Sequence, residues 1–274
     1  MGAGIMTTRL TFLGVAGYDI EGPRHRILID PCLSANPAAP LHPDEVPTPD
    51  VILVSHAAFD HLGDTAAIAR RTGAPVVCGG DVRALLLDQG LPSEQVRATV
   101  WGLVVEVGGV LVRPVECHHW SQARLADGQY VSGVPMGFVV ETEPDVRIYH
   151  YGDTAIFGDL RLIGELYKPT VGLLGCSQPR ALADGVPGPG RIVTGEMSPR
   201  EAALAAEYLG VTLAVACHYL EAMTPDVAEF ITLVREYDTT GTRAVVAPEP
   251  GDVLVIDGAT HSVEPGMARR KDEV

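Results

Sequence analysis

Three side chains that can bind metal, His56, Asp60 and His61, fall within six residues of one another. They follow Val51-Ile-Leu-Val-Ser55, an apolar run typical of a strand buried on both faces. A loop at a strand end can direct several ligands at one point, and imidazole and carboxylate suit zinc, manganese or iron. The segment therefore predicts a metal site, although taken alone His56 and Asp60 could simply cap a strand and a helix.

Three further groups of acid, thiol or imidazole side chains also come directly after predicted strands. These groups are Cys117-His118-His119, His150 with Asp153, and Cys217-His218. Four such groups, each at the end of an apolar strand, are hard to explain as independent coincidences. The pattern predicts a single site assembled from strand-end loops.

Periodicity and turn residues predict the elements that carry these groups. Strands are predicted over residues 9–13, 18–21, 26–30, 51–55, 76–78, 146–151, 171–174, 212–217, 243–246 and 252–256, with antiparallel strands between 100 and 140. Helices are predicted over 64–72, 82–87, 160–167, 199–210 and 225–237. Asp64 is the expected N-cap of the first helix, and Ser198-Pro199-Arg200-Glu201 is a capping box.

Strands followed by helices occur twice along the chain, which favours a four-layer αββα sandwich of the α/β class. We expect a single domain over residues 1–263 and a charged, disordered tail over 264–274. Residues 178–197 are rich in Gly and Pro and are predicted to form a loop that covers the site.

Composition narrows the possible partners. The formal net charge of −15 argues against nucleic acid or an anionic membrane as a partner, because both require a basic surface. Five widely spaced cysteines without a CxxC motif favour reduced thiols. With no apolar run of membrane-spanning length, these features predict a cytoplasmic protein. We expect a small-molecule substrate, and a homo-oligomer is left open.

Several longer segments resemble the metallo-β-lactamase superfamily, whose signature is His-x-His-x-Asp-His, then a later His, an Asp in a Gly-Asp-Thr-like turn and a last His. The resemblance spans roughly residues 8 to 250 and is closest to the metal-dependent hydrolases that include the ascorbate-6-phosphate lactonases. Its landmarks are ILIDP (27–31), VSHAAFDHLGD (54–64), YHYGDTAIFGDLRLIGELYKP (149–169), EMSPREAALAAEYLG (196–210) and ACHYLEA (216–222).

The resemblance implies two metal positions with a shared carboxylate. It assigns His56 and His119 to a first position, Asp60, His61 and His218 to a second, and Asp153 to both. His119 is preferred over His118 because His119-Trp120-Ser121 resembles a motif of lipid-cleaving relatives.

This chain departs from the signature at Ala58, where the family has its second His. The first position therefore lacks a ligand, unless His118, Cys117 or Glu196 replaces it. We expect one divalent ion rather than two, with zinc favoured over manganese or iron.

These features predict a metal-dependent hydrolase that uses metal-activated water on a small ester, lactone, amide or phosphoester. Asp60 is the expected catalytic residue, orienting the water or accepting its proton. A non-catalytic metal- or ligand-binding protein with a degenerate site is the alternative. Asp30 is expected to fix a loop by hydrogen bonding, and His150 to lie behind the ligands or in the core.

Overall fold

The computed structural model describes residues 7–143, 145–179, 189–190 and 192–266. Two mixed β-sheets pack face to face, and helices cover their outer faces, so the predicted αββα sandwich is confirmed. Within the described residues, every helix is too short or too polar to cross a bilayer.

The first sheet has the strand order β17-β16-β1-β2-β3-β4-β5-β6. Its strands are Thr8–Gly14 (β1), Gly17–Glu21 (β2), Arg26–Ile29 (β3), Val51–Leu53 (β4), Val76–Cys78 (β5), Val96–Ala98 (β6), Val253–Asp257 (β16) and Thr260–Glu264 (β17). Strands β3 to β6 run parallel.

The second sheet has the order β15-β14-β13-β12-β11-β8-β7, and a small ribbon pairs β9 with β10. The strands are Val105–Val107 (β7), Val110–Glu116 (β8), Gln122–Arg124 (β9), Tyr130–Ser132 (β10), Met136–Glu143 (β11), Val146–His150 (β12), Val171–Gly175 (β13), Leu213–Cys217 (β14) and Ala244–Val246 (β15). Strands β12 to β15 run parallel, so their carboxyl ends lie at one edge.

The helices are Phe59–Leu62 (α1), Thr65–Thr72 (α2), Gly80–Asp88 (α3), Leu160–Tyr167 (α4), Pro199–Leu209 (α5) and Pro225–Tyr237 (α6). Apolar side chains of both sheets, such as Phe12 and Phe138, share one core. A second core joins β4 to α2 and α3 through residues such as Ile52 and Leu86. Helix α5 lies against β13, and α6 against β14 and β15.

Local sequence signals explain several helix ends. The Ser198 side chain accepts a hydrogen bond from Glu201 N–H, while Glu201 caps the Ser198 backbone, so the predicted capping box is confirmed. Asp64 is the N-cap residue of α2, as predicted, but its side chain makes no capping hydrogen bond. Its carboxylate instead accepts two hydrogen bonds from the backbone N–H groups of Leu33 and Ser34, both at 2.8 Å.

Strand β17 was not predicted. It pairs with β16 and ends at Glu264, whose carboxylate lies 2.6 Å from the Arg9 guanidinium. The expected tail therefore begins inside a strand, and its residues 267–274 lie outside the described part of the chain.

Candidate metal centre

The candidate ligands lie on loops that follow β4, β8, β12 and β14. The loop after β4 carries His56, and the short helix α1 that follows it carries Asp60 and His61. Backbone hydrogen bonds join the two sheets at this edge. Val15 N–H donates to Tyr219 C=O at 3.0 Å, and His218 N–H donates to Val15 C=O at 2.6 Å. The loops of both sheets therefore converge on one point.

The six predicted ligands come together in two groups that share Asp153. The second position contains Asp60, His61, Asp153 and His218, and the first contains His56, His119 and Asp153. Within each group, ligand atoms lie within 4.8 Å of one another. Oxygen Oδ2 of Asp153 is the shared atom, at 2.9 Å from His61 Nε2, 3.5 Å from His218 Nε2 and 3.8 Å from His56 Nε2.

Unpartnered nitrogen atoms show that this donor set fits a cation. Atoms Nε2 of His56, His61 and His218 are buried and make no hydrogen bond of good geometry, although Asp153 Oδ2 lies only 2.9 Å from His61 Nε2. Leaving a buried polar atom unpaired costs about 1–3 kcal/mol, so such atoms require an explanation. Three imidazoles beside two carboxylates form a donor set that zinc and similar divalent ions accept.

Charged groups stand behind the ligands of the second position. Asp30 accepts from His61 Nδ1 at 2.8 Å and also from the Ser55 N–H and hydroxyl groups. Glu196 Oε1 lies 2.6 Å from His218 Nδ1, which also contacts the Ser177 carbonyl at 3.0 Å. The predicted role of Asp30 in fixing this loop is thus seen, together with an orienting role toward His61.

Tyr151 links this network to the shared carboxylate, a role that the sequence analysis missed. Its hydroxyl contacts Asp153 Oδ1 and lies 3.1 Å from Glu196 Oε2. With Oδ1 held in this way, Oδ2 is the oxygen of Asp153 that faces the histidines. The available signal was the position of Tyr151 two residues before Asp153, directly after β12.

Neutral groups stand behind the ligands of the first position. His56 Nδ1 lies 3.0 Å from the Ser55 hydroxyl, and His119 Nδ1 donates to the Gly195 carbonyl at 2.7 Å. The two rings are 4.8 Å apart and nearly perpendicular. These partners orient the rings but add no negative charge to the position.

The pKa values of the histidines differ between the two positions accordingly. Burial lowers the pKa of His61, but the carboxylates of Asp153 and Asp30 outweigh burial and hold it well above its usual value. Asp153 and Glu196 outweigh burial in the same way and raise the pKa of His218. At the first position, burial lowers the pKa of His56 to about 3 and also lowers that of His119.

None of the three proposed replacements for the missing ligand joins either group of described ligands. Cys117 Sγ donates to the Gly152 carbonyl at 3.0 Å, and His118 Nε2 lies 2.9 Å from Glu116. Glu196 reaches His218 from behind, as described above. Ala58 itself is the N-cap residue of α1 and its carbonyl accepts from His61 N–H at 3.1 Å.

Three further residues whose side chains could bind metal or act as nucleophiles, His150, Cys176 and Cys217, are buried in the protein interior. His150 is fully buried, and its Nε2 donates to the Ala16 carbonyl at 2.8 Å, as expected for a residue in the core. Cys176 and Cys217 are also fully buried, and burial raises the pKa of Cys217 to about 12. A thiol with such a pKa is protonated at neutral pH, which argues against a nucleophilic role.

Two site residues hold unusual backbone conformations. Asp153 and His218 have φ values of 64° and 65°, in the left-handed region that most residues avoid. This conformation costs about 1–3 kcal/mol per residue and persists only where the surroundings enforce it. Here the strain accompanies the turn that directs each side chain back toward the centre.

The predicted covering loop is described only in part, since residues 180–188 and 191 lie outside the described residues. Its described ends meet, because Gln178 Nε2 donates to the Thr194 hydroxyl at 2.8 Å. Gly195 and Glu196 on this segment contact His119 and His218 respectively. The described part therefore lies against both metal positions.

Comparison with known proteins agrees with this architecture. Residues 25–219 match the beta-lactamase superfamily domain. A "UPF0173 metal-dependent hydrolase" of Rubrobacter xylanophilus is 42% identical over 214 residues, covering 77% of this chain and 81% of its own. A protein of the same name from Methanopyrus kandleri is 38% identical over 248 residues, covering 89% of this chain and 98% of its own.

A solved metallo hydrolase of Ignicoccus hospitalis shares the fold, with a TM-score of 0.69 at 24% identity, covering 91% of this chain and 98% of its own. None of these three proteins carries a lactonase name, so the finer resemblance to ascorbate-6-phosphate lactonases is not confirmed. The length and identity of the matches are sufficient to assign a family. This chain belongs to the UPF0173 metal-dependent hydrolases of the beta-lactamase superfamily.

Proposed function

We propose that the protein hydrolyses a small ester, lactone, amide or phosphoester with one divalent cation, zinc, bound at the second position. The observation that carries the proposal is the convergence of three unpartnered histidine nitrogens on Asp153 Oδ2. The second position has four donors, two of which have a carboxylate behind them, and this makes it the stronger of the two.

A divalent cation lowers the pKa of bound water toward about 7 and polarises the bond to be cleaved. Asp60 then has a direct role, because its Oδ2 lies 3.5 Å from His218 Nε2 and faces the same centre. Burial tends to raise the pKa of Asp60, but the contact with His218 and the nearby His61 hold it below its usual value. An ionised Asp60 can orient the attacking water and accept its proton.

In an ester or lactone, the reacting atoms are the acyl carbon and the leaving oxygen bonded to it. The water oxygen forms a bond to the acyl carbon, the bond between acyl carbon and leaving oxygen breaks, and the proton held by Asp60 passes to that oxygen. The products are a carboxylic acid and an alcohol, which remain joined in one molecule when the substrate is a lactone. No oxidant or second substrate is needed.

A panel of lactones, esters, amides and phosphoesters tests this proposal on protein purified without chelator or added metal. We expect turnover that chelation abolishes and zinc restores, and Asp60→Asn should reduce turnover more than it reduces bound metal. Tight metal binding with no turnover across the panel would instead support the alternative, a non-catalytic metal- or ligand-binding protein. Turnover that survives complete removal of metal would contradict both.

Metal stoichiometry tests the proposal of one ion. Elemental analysis of the purified protein should give closer to one metal per chain than two, because Ala58 offers no donor to the first position. Ala58→His should raise that value, with Ala58→Ser as a matched control that adds no imidazole. Two tightly held ions in the unmodified protein would contradict the proposal.

A further inference from the structure

Asp81, the second residue of α3, is a buried carboxylate that belongs to neither group of candidate ligands. Its Oδ2 atom accepts a hydrogen bond from the Ser121 hydroxyl. Its Oδ1 atom is buried and has no hydrogen-bond partner among the described residues. Burying a carboxylate is costly, and an unpaired oxygen adds to that cost. The stability of the fold therefore does not explain why an acid lies at this position.

The Ser121 hydroxyl connects Asp81 to the backbone beside His56. A hydroxyl group has one proton to donate and two lone pairs with which it can accept. Ser121 donates that proton to Asp81, and its oxygen accepts from the Ala57 N–H group at 3.0 Å. The carboxylate therefore fixes the direction of the hydroxyl and leaves a lone pair available to Ala57.

The hydrogen bond between Ala57 and Ser121 joins the two segments that carry the histidines of the first metal position. Ala57 directly follows His56, and Ser121 lies two residues after His119. Since consecutive Cα atoms are about 3.8 Å apart, both bonded groups lie close to the backbone of a candidate ligand. The imidazole rings of His56 and His119 are themselves 4.8 Å apart. The pair of Asp81 and Ser121 is thus placed to set the spacing of these rings.

The chain around Asp81 leaves room for its carboxylate. A Cβ atom at Gly133, which directly follows β10, would overlap Asp81 Oδ1. A Cβ atom at Gly79 would lie 2.9 Å from the same oxygen, closer than carbon and oxygen atoms normally pack. The Gly133 N–H group also donates to the Ser121 carbonyl at 3.1 Å. Asp81, Ser121 and Gly133 therefore form one packed unit.

The histidines of the second metal position are oriented by other groups. His61 Nδ1 lies 2.8 Å from Asp30, and His218 Nδ1 lies 2.6 Å from Glu196. Loss of the Ser121 hydroxyl leaves both of these contacts in place. Its effect should therefore fall on the first position.

We propose that Asp81, acting through Ser121, is a positioning residue that holds His56 and His119 at the spacing a cation requires. The first position then binds a second divalent ion, more weakly than the second position binds its zinc. This inference rests on the proposed function, which places a zinc ion at the second position, and it adds a role for the first.

A zinc titration of the metal-free full chain, in competition with a chromogenic chelator, measures two successive dissociation constants. Ser121→Ala should raise the second constant by about 10–100-fold and leave the first constant unchanged, because it removes a group that supports ligands of one position. Thr8→Val is the matched control. The Thr8 hydroxyl also donates to a buried carboxylate, that of Glu143 at 2.8 Å, but it lies at the beginning of β1.

Substitutions at Asp81 test whether the carboxylate acts through Ser121. Asp81→Ala should raise the second constant as Ser121→Ala does, whereas Asp81→Asn keeps an acceptor oxygen for the hydroxyl and should restore most of the affinity. With cobalt in place of zinc, the absorption bands of the second equivalent should shift in Ser121→Ala, and those of the first should not. Thermal unfolding shows that each variant is folded, and Ser121→Ala carries the test if Asp81→Ala does not fold.

Three results would overturn the positioning role and leave hydrolysis at the second position standing. They are equal weakening of both binding steps in Ser121→Ala, an equal effect of Thr8→Val, and the absence of a second step in the unmodified protein up to millimolar zinc. An Asp81→Asn protein as weak as Asp81→Ala would remove Asp81 from the proposal. Selective loss of the second step in a protein that turns over no substrate would support the positioning role while hydrolysis fails.

Discussion

The two metal positions share one carboxylate oxygen, yet they differ in donor number and in the groups behind the donors. The second position has four candidate ligands, with Asp30 behind His61 and Glu196 behind His218. The first has three candidate ligands, and a hydroxyl and a carbonyl stand behind its histidines. The pKa values follow the same division, raised at the second position and lowered at the first.

This difference predicts that a cation fills the second position before the first, although imidazoles serve at both. Imidazoles and Asp153 serve at both positions, but Asp60 and Glu196 add carboxylates beside the second position, so positive charge is more favourable there. When metal is absent, protons on His61 and His218 supply the positive charge at the second position. Metal binding there must therefore displace these protons. The first position, which lacks such carboxylates, favours neutral imidazoles in the metal-free protein.

The largest expected effect comes from removing the shared ligand. Asp153→Ala takes a donor from both positions, so the protein should lose nearly all bound metal while still unfolding cooperatively. Elemental analysis and thermal unfolding measure the two properties, and Asp257→Ala, at an exposed acid, is the control. Metal content equal to that of the unmodified protein would defeat the assignment of Asp153.

Substituting a ligand that belongs to only one metal position should distinguish the metal content of the two positions. His61→Ala removes a donor from the second position and should leave little metal at limiting supply. His56→Ala removes a donor from the first position and should leave about one ion per chain. If the two variants lost equal amounts of metal, the proposed order of filling would be wrong.

A smaller effect is expected from the charge behind His218. Glu196→Gln keeps an acceptor oxygen but removes the negative charge, which should weaken metal binding by about 10–100-fold. Competition with a chromogenic chelator measures the dissociation constant, and Glu236→Gln, at an exposed glutamate, is the control. Tyr151→Phe should have a weaker effect in the same direction. An unchanged dissociation constant in Glu196→Gln would remove Glu196 from the network.

The smallest effect concerns the pH dependence of stability in the metal-free protein. Burial lowers the pKa of His56 from 6.5 to about 3. Between these values the unfolded chain binds a proton that the folded chain does not, so the free energy of unfolding falls as pH falls from about 6.5 toward 3. In urea unfolding after chelation, His56→Gln should show a shallower decline than the unmodified protein. Coincident curves would show that His56 contributes nothing to this dependence.

Much of the fold was predictable from local pattern. The helix Leu160–Tyr167 and the capped helix that begins at Pro199 appear where the sequence placed them, because apolar spacing and capping residues act over a few positions. Strand β17 escaped prediction because all its residues are exposed and its pairing partner is β16. The sequence placed Asp64 correctly at the start of α2, but it did not show the hydrogen-bond partners of its carboxylate, because these lie about 30 residues earlier in the chain.

The sequence by itself determined which chemistry the centre can perform and which strand ends carry it, since ligand type and strand pattern are properties of short segments. It also exposed the missing donor at Ala58. Only the tertiary structure decided that Glu196 supports His218 from behind, that Tyr151 holds Asp153, and that His118 pairs with Glu116 away from the centre. Those roles depend on the distances and directions at which side chains from two sheets meet, and packing of the whole domain sets those quantities.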